Sequence, residues 1–358
     1  MRSITDIPQG TDIIALRKKV NPLIKRAQEE AKPDSCILCG KKTLSFCNSH
    51  SVPRMVLKSI AENGIVLHAS AVIGIEYIDT QKGVNNSGTF HFICDDCDHT
   101  VFQDYEDPAK LLQKPTDKML AEIALKNVLL QLSKRAIEKE LTDILQEEYH
   151  IYENPKDLQT IKDIDIRDYE DDRKLLMNII LNNEQDVFHV LFWKKLPYKA
   201  PIALQTVLAL EEDMNGNQIN DVFDMREETR IENMHLCVFP IGEETIVLAF
   251  CHKRDKKYRG LKKQFVNTPD QKCLQYLNWL VFKYTENYFI SKSIKKDVES
   301  NQKLRKLSQE ANGFPNLGFV DTTTMLSGYD SVKQDEIPNF LDSIYAVSRK
   351  AEKASVMP

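Results

Sequence analysis

The 358-residue sequence has no apolar run approaching the ~20 residues that a membrane-crossing helix needs, so no contact with a membrane is expected. Its first residues, MRSITDIPQGTDII, hold one basic residue and no uninterrupted apolar stretch after it. They do not read as a secretory leader, and the expected location is cytoplasmic. Internal repeats and low-complexity blocks are also missing. Eight cysteines in a chain this long are too few for a disulfide framework, and a reducing compartment points paired thiols toward metal instead. A formal net charge of −5 excludes a polycation. What remains is ordinary: 42% hydrophobic and 28% charged residues, enough for a sizeable core and for two or three domains.

The pattern along the chain predicts an α+β protein. Residues 1–32 carry apolar positions at helical spacing, with a kink or break expected at Pro22. From 33 to 110 the character changes to turns, cysteines and short extended runs. GIVLHASAVIGIEYI (64–78) reads as a strand or hairpin, QKGVNNSG (81–88) as a turn, and TFHFIC (89–94) as a returning strand. A long helix is expected from about Thr116, its cap, to Tyr149. Antiparallel strands follow in DVFHVLFWKKL, PIALQTVLALEED, MHLCVFPI and EETIVLAFCHK, with turns at MNGN (214–217) and GEE (242–244). Helix is expected again over 269–299, and the tail 311–358 carries weak signals. The expected division is a helical segment 1–32, a zinc module 33–110, an α+β domain 111–310 and a tail.

Four of the cysteines form two C-x-x-C pairs, Cys36/Cys39 and Cys94/Cys97, about 55 residues apart. Thiolates at that spacing bind one ion from a tight turn, and Zn²⁺ takes four such ligands in structural sites. Gly40 suits the turn after the first pair. Neither pair sits in the βαβ setting of a redox C-x-x-C. Cys47 lies close enough in sequence to substitute for one ligand.

Between the pairs stands Ser49-His50-Ser51-Val52-Pro53, and the second pair runs on as CDDCDHTVFQDYE. This order resembles the HNH (ββα-metal, treble-clef) endonucleases, in particular the branch with two C-x-x-C pairs, over about residues 33–110. The resemblance implies a treble-clef module, a structural Zn²⁺, and a catalytic Mg²⁺ or Mn²⁺. It implies His50 as general base and Asp98 as a ligand of the catalytic ion. Ser49 falls where that family has an acidic ligand, so a substitute carboxylate is needed. Asp95, Asp96, Asp104 and Glu106 are available, with Glu106, on a helix expected after the second pair, the choice. Phosphodiester hydrolysis suits these residue types: a neutral imidazole takes the proton of water while a hard cation stabilises the phosphate. The implied role is nuclease action on nucleic acid, DNA before RNA, in defence against foreign DNA. The alternative reading is a non-catalytic zinc module in a nucleic-acid- or protein-binding protein. His91 and His99 lack ligand spacing and are expected at the surface or in packing.

Charge is spread unevenly. Residues 1–110 hold thirteen bases and fourteen acids, residues 138–172 four bases and thirteen acids, and residues 251–310 fifteen bases and six acids. Within HKRDKKYRGLKKQF (252–265), Lys253, Arg254, Lys256, Lys257, Arg259, Lys262 and Lys263 form a candidate nucleic-acid contact, with Tyr258 and Phe265 interleaved for stacking. The competing reading is a solvated loop. The acidic stretch 153–172 lacks calcium-loop spacing and is expected to be solvated or to cover the basic face. A protein partner or a second copy of the chain is compatible with this asymmetry.

Overall fold

The computed structural model describes residues 13–43, 45–69, 78–150, 155–221, 224, 226, 229–310 and 332–347. Readings made for 1–12, for 70–77 within the first β-rich run, and for the ends of the tail lie outside them. The chain begins with α1 (Ile13–Glu30), β1 (Ser49–His50), α2 (Arg54–Ile60), β2 (Ile65–Ala69), β3 (Ile78–Gly83) and β4 (Thr89–Phe90). α3 (Asp95–Val101), α4 (Pro108–Leu111), α5 (Asp117–Tyr149) and α6 (Pro155–Asn182) follow. Then come β5 (Phe188–Leu196), β6 (Ile202–Leu208), β7 (Met234–Ile241) and β8 (Glu244–His252). The described chain closes with α7 (Arg259–Asn267), α8 (Asp270–Tyr284), β9 (Tyr288–Ile290), α9 (Lys295–Ser300) and α10 (Gln302–Glu310).

A seven-stranded antiparallel sheet, in the order β3-β2-β9-β6-β7-β8-β5, organises the molecule. Its strands are apolar on both sides, because both faces are covered. Leu204, Leu236, Val238, Val247, Ala249, Tyr288 and Ile290 point to one core, which α7, α8 and the segment 332–347 complete. Their alternating neighbours Ala203, Cys237, Phe239, Leu248, Phe250 and Phe289 point to the other, with α2, α5, α6 and the cysteine module. The fold is thus α+β in three layers, the sheet in the middle.

Two strands of the 33–110 segment belong to this sheet: Leu67 of β2 pairs with Ile290 of β9, and His68 with Phe289. β9 is a correction, since NYFI was read as part of a helix over 269–299. The helix stops at Tyr284, and Tyr288-Phe289-Ile290 crosses the sheet between β2 and β6. Three aromatic and β-branched residues are too short a run to break a helical period on paper, yet they fit a pleated, fully buried position. Two further corrections are local. α1 continues through Pro22 without a break, and β3 runs to Gly83 inside the expected turn. Residues 155–182, for which no element was expected, form helix α6.

α5 starts where expected: Thr116 accepts a hydrogen bond from the Met119 N–H through its hydroxyl. From Met119 to Leu130 the helix is buried all round, charged residues included, instead of on one stripe. The described part of the tail, 332–347, contributes to the core. Phe340 is buried, and its N–H donates to Asn278 Oδ1 at 3.0 Å.

The seam between the cysteine module and the sheet is tightest at Gly88. Its φ is +64°, its carbonyl accepts the Ser51 N–H, and a Cβ there would come within 2.4 Å of Phe289 and 2.7 Å of Ser51 Oγ. Gly88→Ala combines overpacking with a left-handed backbone and is expected to cost about 2–4 kcal/mol. Urea denaturation of the metal-replete protein reads this as a lower midpoint; an unchanged midpoint would show that the seam yields freely.

Candidate metal centre and histidine site

The first pair is held by a knuckle in which Gly40 N–H donates to Cys36 carbonyl O at 2.8 Å and Cys36 N–H to Lys41 carbonyl O at 2.9 Å. Gly40, at φ +71°, takes the left-handed corner. The second pair opens α3, with Cys94 as its N-cap and Cys97 in its first turn. The four Sγ atoms all lie within 4.8 Å of one another, and Cys39 Sγ is 3.8 Å from Cys94 Sγ. A tetrahedron with metal–sulfur bonds of about 2.3 Å has edges of about 3.8 Å, so the cluster can hold a metal such as zinc. Burial pushes the Cys36 thiol up, but N–H groups of Cys39, Cys94 and Leu38 outweigh it and bring it to about 7. Burial and the neighbouring sulfurs push Cys97 the other way. A cation among the four removes that conflict by stabilising every thiolate. Cys47 stays outside the cluster and donates its S–H to Asp98 Oδ2 at 3.3 Å.

The cysteine knuckles frame a short two-stranded ribbon whose strands are non-consecutive in the chain. β1 pairs with β4, Ser49 opposite Phe90 and His50 opposite Thr89. Cys47 N–H to Ile93 carbonyl O and Ser51 N–H to Gly88 carbonyl O, both 2.8 Å, extend the ladder at either end. Strand alternation turns Ser49 inward, fully buried, and leaves His50 half-buried on the other side. His50 Nε2 lies 3.0 Å from the Val84 carbonyl oxygen. A carbonyl only accepts, so Nε2 carries the hydrogen, and in the neutral ring Nδ1 keeps a bare lone pair. Burial holds the imidazole below its ordinary pKa; the Val84 bond opposes this, while Arg54 and Lys126 reinforce it. Arg54, the exposed first residue of α2, has its guanidinium oriented by Asn85 Oδ1 through Nε (2.9 Å) and Nη2 (2.5 Å).

Behind Ser49 lies a residue the sequence reading passed over. Lys126, in the middle of α5, is 0% exposed. Its Nζ is 2.6 Å from Asp98 Oδ1, 3.1 Å from Ser49 Oγ and 3.4 Å from Glu106 Oε1, and it stands 3.7 Å over the Phe102 ring. Ser49 Oγ in turn donates to Asp98 Oδ1 at 2.6 Å. Burial raises the Asp98 carboxyl, but Lys126, Ser49 and Cys47 together hold it below its usual value. Glu106 goes the other way: burial raises it more than Lys126 lowers it. Glu106 sits in the turn after α3, which ends at Val101, and not on the helix expected there. Buried Glu122 steadies that turn, its Oε2 accepting the N–H groups of Asp104 (3.1 Å) and Tyr105 (2.9 Å). Asp104 is bound by Lys110 and Lys118, and Asp95, Asp96, His91 and His99 are exposed.

No family model matches the chain, and neither a curated protein nor a solved structure does. The site is therefore read from its own geometry.

The basic segment lies on the other layer of the sheet. Leu261 and Phe265 of α7 pack into the core opposite the one that holds the cysteines. Lys253 pairs with Asp186, and Arg254 with Asp172 of α6, so part of the acidic stretch does cover it. Lys256, Lys257, Arg259 and Lys263 are exposed and Lys262 half-buried. Tyr258 and Phe265 are corrected from stacking aromatics to core residues. Both are buried, and the Tyr258 hydroxyl accepts the Leu210 N–H at 3.1 Å.

Two outcomes test this centre. Metal analysis should find one zinc per chain, lost in Cys94→Ser; a full complement in that variant would place the ion elsewhere. The second concerns Glu122, whose carboxyl burial pushes up to about 7. A group raised in the folded state stabilises it fully below the unfolded value, about 4.5. That contribution fades as pH rises through 7, by at most about 3 kcal/mol. Glu122→Gln should flatten stability between pH 4.5 and 7, measured by denaturant titration at each pH; an unchanged slope would assign the dependence to another group.

Proposed function

We propose that the chain is an HNH-like phosphodiester hydrolase that cuts nucleic acid, with His50 as general base. The observation that carries this is the Val84 carbonyl on His50 Nε2, which leaves Nδ1 as the lone pair that takes the proton of an attacking water. Three features support it. The imidazole is held below its usual pKa and so is neutral near pH 7. The cysteine cluster, with zinc as its resident ion, would fix the two-stranded ribbon that carries the ring. Arg54 presents an exposed guanidinium, already oriented, on the same side as His50, where it can bind a phosphate oxygen bidentately. The substrate we favour is DNA, in a cytoplasmic defence against foreign DNA. The described residues include no helix long and apolar enough to cross a membrane.

The Mg²⁺ or Mn²⁺ that the resemblance brings does not fit the donor set at Asp98. Lys126 Nζ and Ser49 Oγ already occupy Oδ1, Cys47 faces Oδ2, and Glu106 turns to the same Nζ. No step is routed through such an ion. That same filling favours a second reading, a non-catalytic zinc module that binds nucleic acid or protein.

Cutting of plasmid and single-stranded DNA, with and without added Mg²⁺, separates the two. Wild type should cut and His50→Ala should lose at least about 100-fold in rate, the usual worth of a positioned base. The acid limb of the rate profile should lie below pH 6.5, because His50 must be neutral and its pKa is lowered. Equal cutting by both proteins removes His50 as the base; retained binding with no cutting selects the second reading. Neutralising Lys256, Lys257, Lys262 and Lys263 together should flatten the salt dependence of DNA binding, and an unchanged slope removes that face from the interface.

A further inference from the structure

We infer that Lys126 is the resident cation of the carboxylate site, occupying the position a divalent ion would need, so that Asp98 and Glu106 bind no divalent metal while it is in place. A hard divalent ion asks for several oxygen donors at 2.0–2.6 Å, carboxylates among them. The oxygens that converge here are one Asp98 carboxylate oxygen, the Ser49 hydroxyl and one Glu106 oxygen, and all three meet at Lys126 Nζ within 3.4 Å. The Ser49 and Glu106 distances, 3.1 and 3.4 Å, are those of contacts to a nitrogen and exceed metal–oxygen bonds.

The donor set also matches a single positive charge better than two. A hydroxyl at position 49 contributes none, and Glu106 approaches Nζ less closely, at 3.4 Å, than Asp98 does at 2.6 Å. Asp98 is then the nearest counter-charge of one ammonium, and Ser49 adds a neutral donor and acceptor beside it. The face of Phe102, 3.7 Å from Nζ, closes the side where no oxygen stands. A divalent ion could enter only by displacing an amine that is itself wholly buried.

The test is a Mn²⁺ titration of the zinc-loaded full-length protein, followed by electron paramagnetic resonance, which needs no turnover and so stands or fails apart from the hydrolase reading. Wild type should leave Mn²⁺ free. Lys126→Gln, which keeps a hydrogen-bonding side chain among the same partners, should bind one Mn²⁺ at least about 100-fold more tightly than wild type, because the cation-cation repulsion is gone. The double variant with Asp98→Asn should lose that binding. One Mn²⁺ bound by wild type and lost in Asp98→Asn would overturn the inference. So would a Lys126→Gln protein that keeps its zinc and its circular dichroism yet leaves Mn²⁺ free. Should Lys126→Gln fail to fold, the wild-type and Asp98→Asn titrations decide the matter alone.

Discussion

An ammonium carried by the all-round buried half of a helix has to bring its counter-charge with it, because an unpaired charge away from water costs more than any single contact returns. Lys126 meets that demand with groups from three parts of the chain: Ser49 on β1, Asp98 on α3, and Glu106 in the following turn. Removing the Asp98 carboxylate would leave a charge stranded in the interior. These contacts tie the cysteine knuckles, the strand with His50, and the long helix α5 together. Glu122, one turn earlier on α5, holds the Asp104 and Tyr105 backbone in the same way.

Much of this was legible in the residues, for reasons that can be stated. The two C-x-x-C pairs were readable because thiol spacing maps directly onto a tetrahedral site, and the four Sγ atoms converge. Strands β5 to β8 were readable because both sheet faces are covered, which leaves long apolar runs between turn residues. Thr116 was readable as a cap because hydroxyls satisfy orphan N–H groups at helix starts. Lys126 was not readable. On paper it is one of many lysines in a helix of good helix formers, and only the layers packed around α5 remove it from water. Glu106 was picked as a candidate but placed on the wrong element, since nothing local marks the end of α3 at Val101. β9 failed for the opposite reason: three residues carry too little periodicity to outweigh the strong helix before them.

The cysteine module cannot be regarded as a unit set beside the sheet. It supplies β2 and β3, the two strands beyond β9, and Gly88 presses its backbone against Phe289. Without those strands the amide row of β9 would be an open edge, a template for pairing with other chains. The cysteine knuckles and the sheet are in this way joined through covalent continuity and a shared core.

The positions of His50 and of the α7 cations on opposite layers carry one more implication. Three packed layers put them roughly 20–30 Å apart through the protein, given spacings of about 10 Å between neighbouring layers. A straight duplex lying on one side cannot reach both. A polyanion held by α7 and cut near His50 has to turn around the sheet edge, or the two sides have to hold different strands. Under the proposed function, the two faces would then engage separate stretches of nucleic acid rather than close on one.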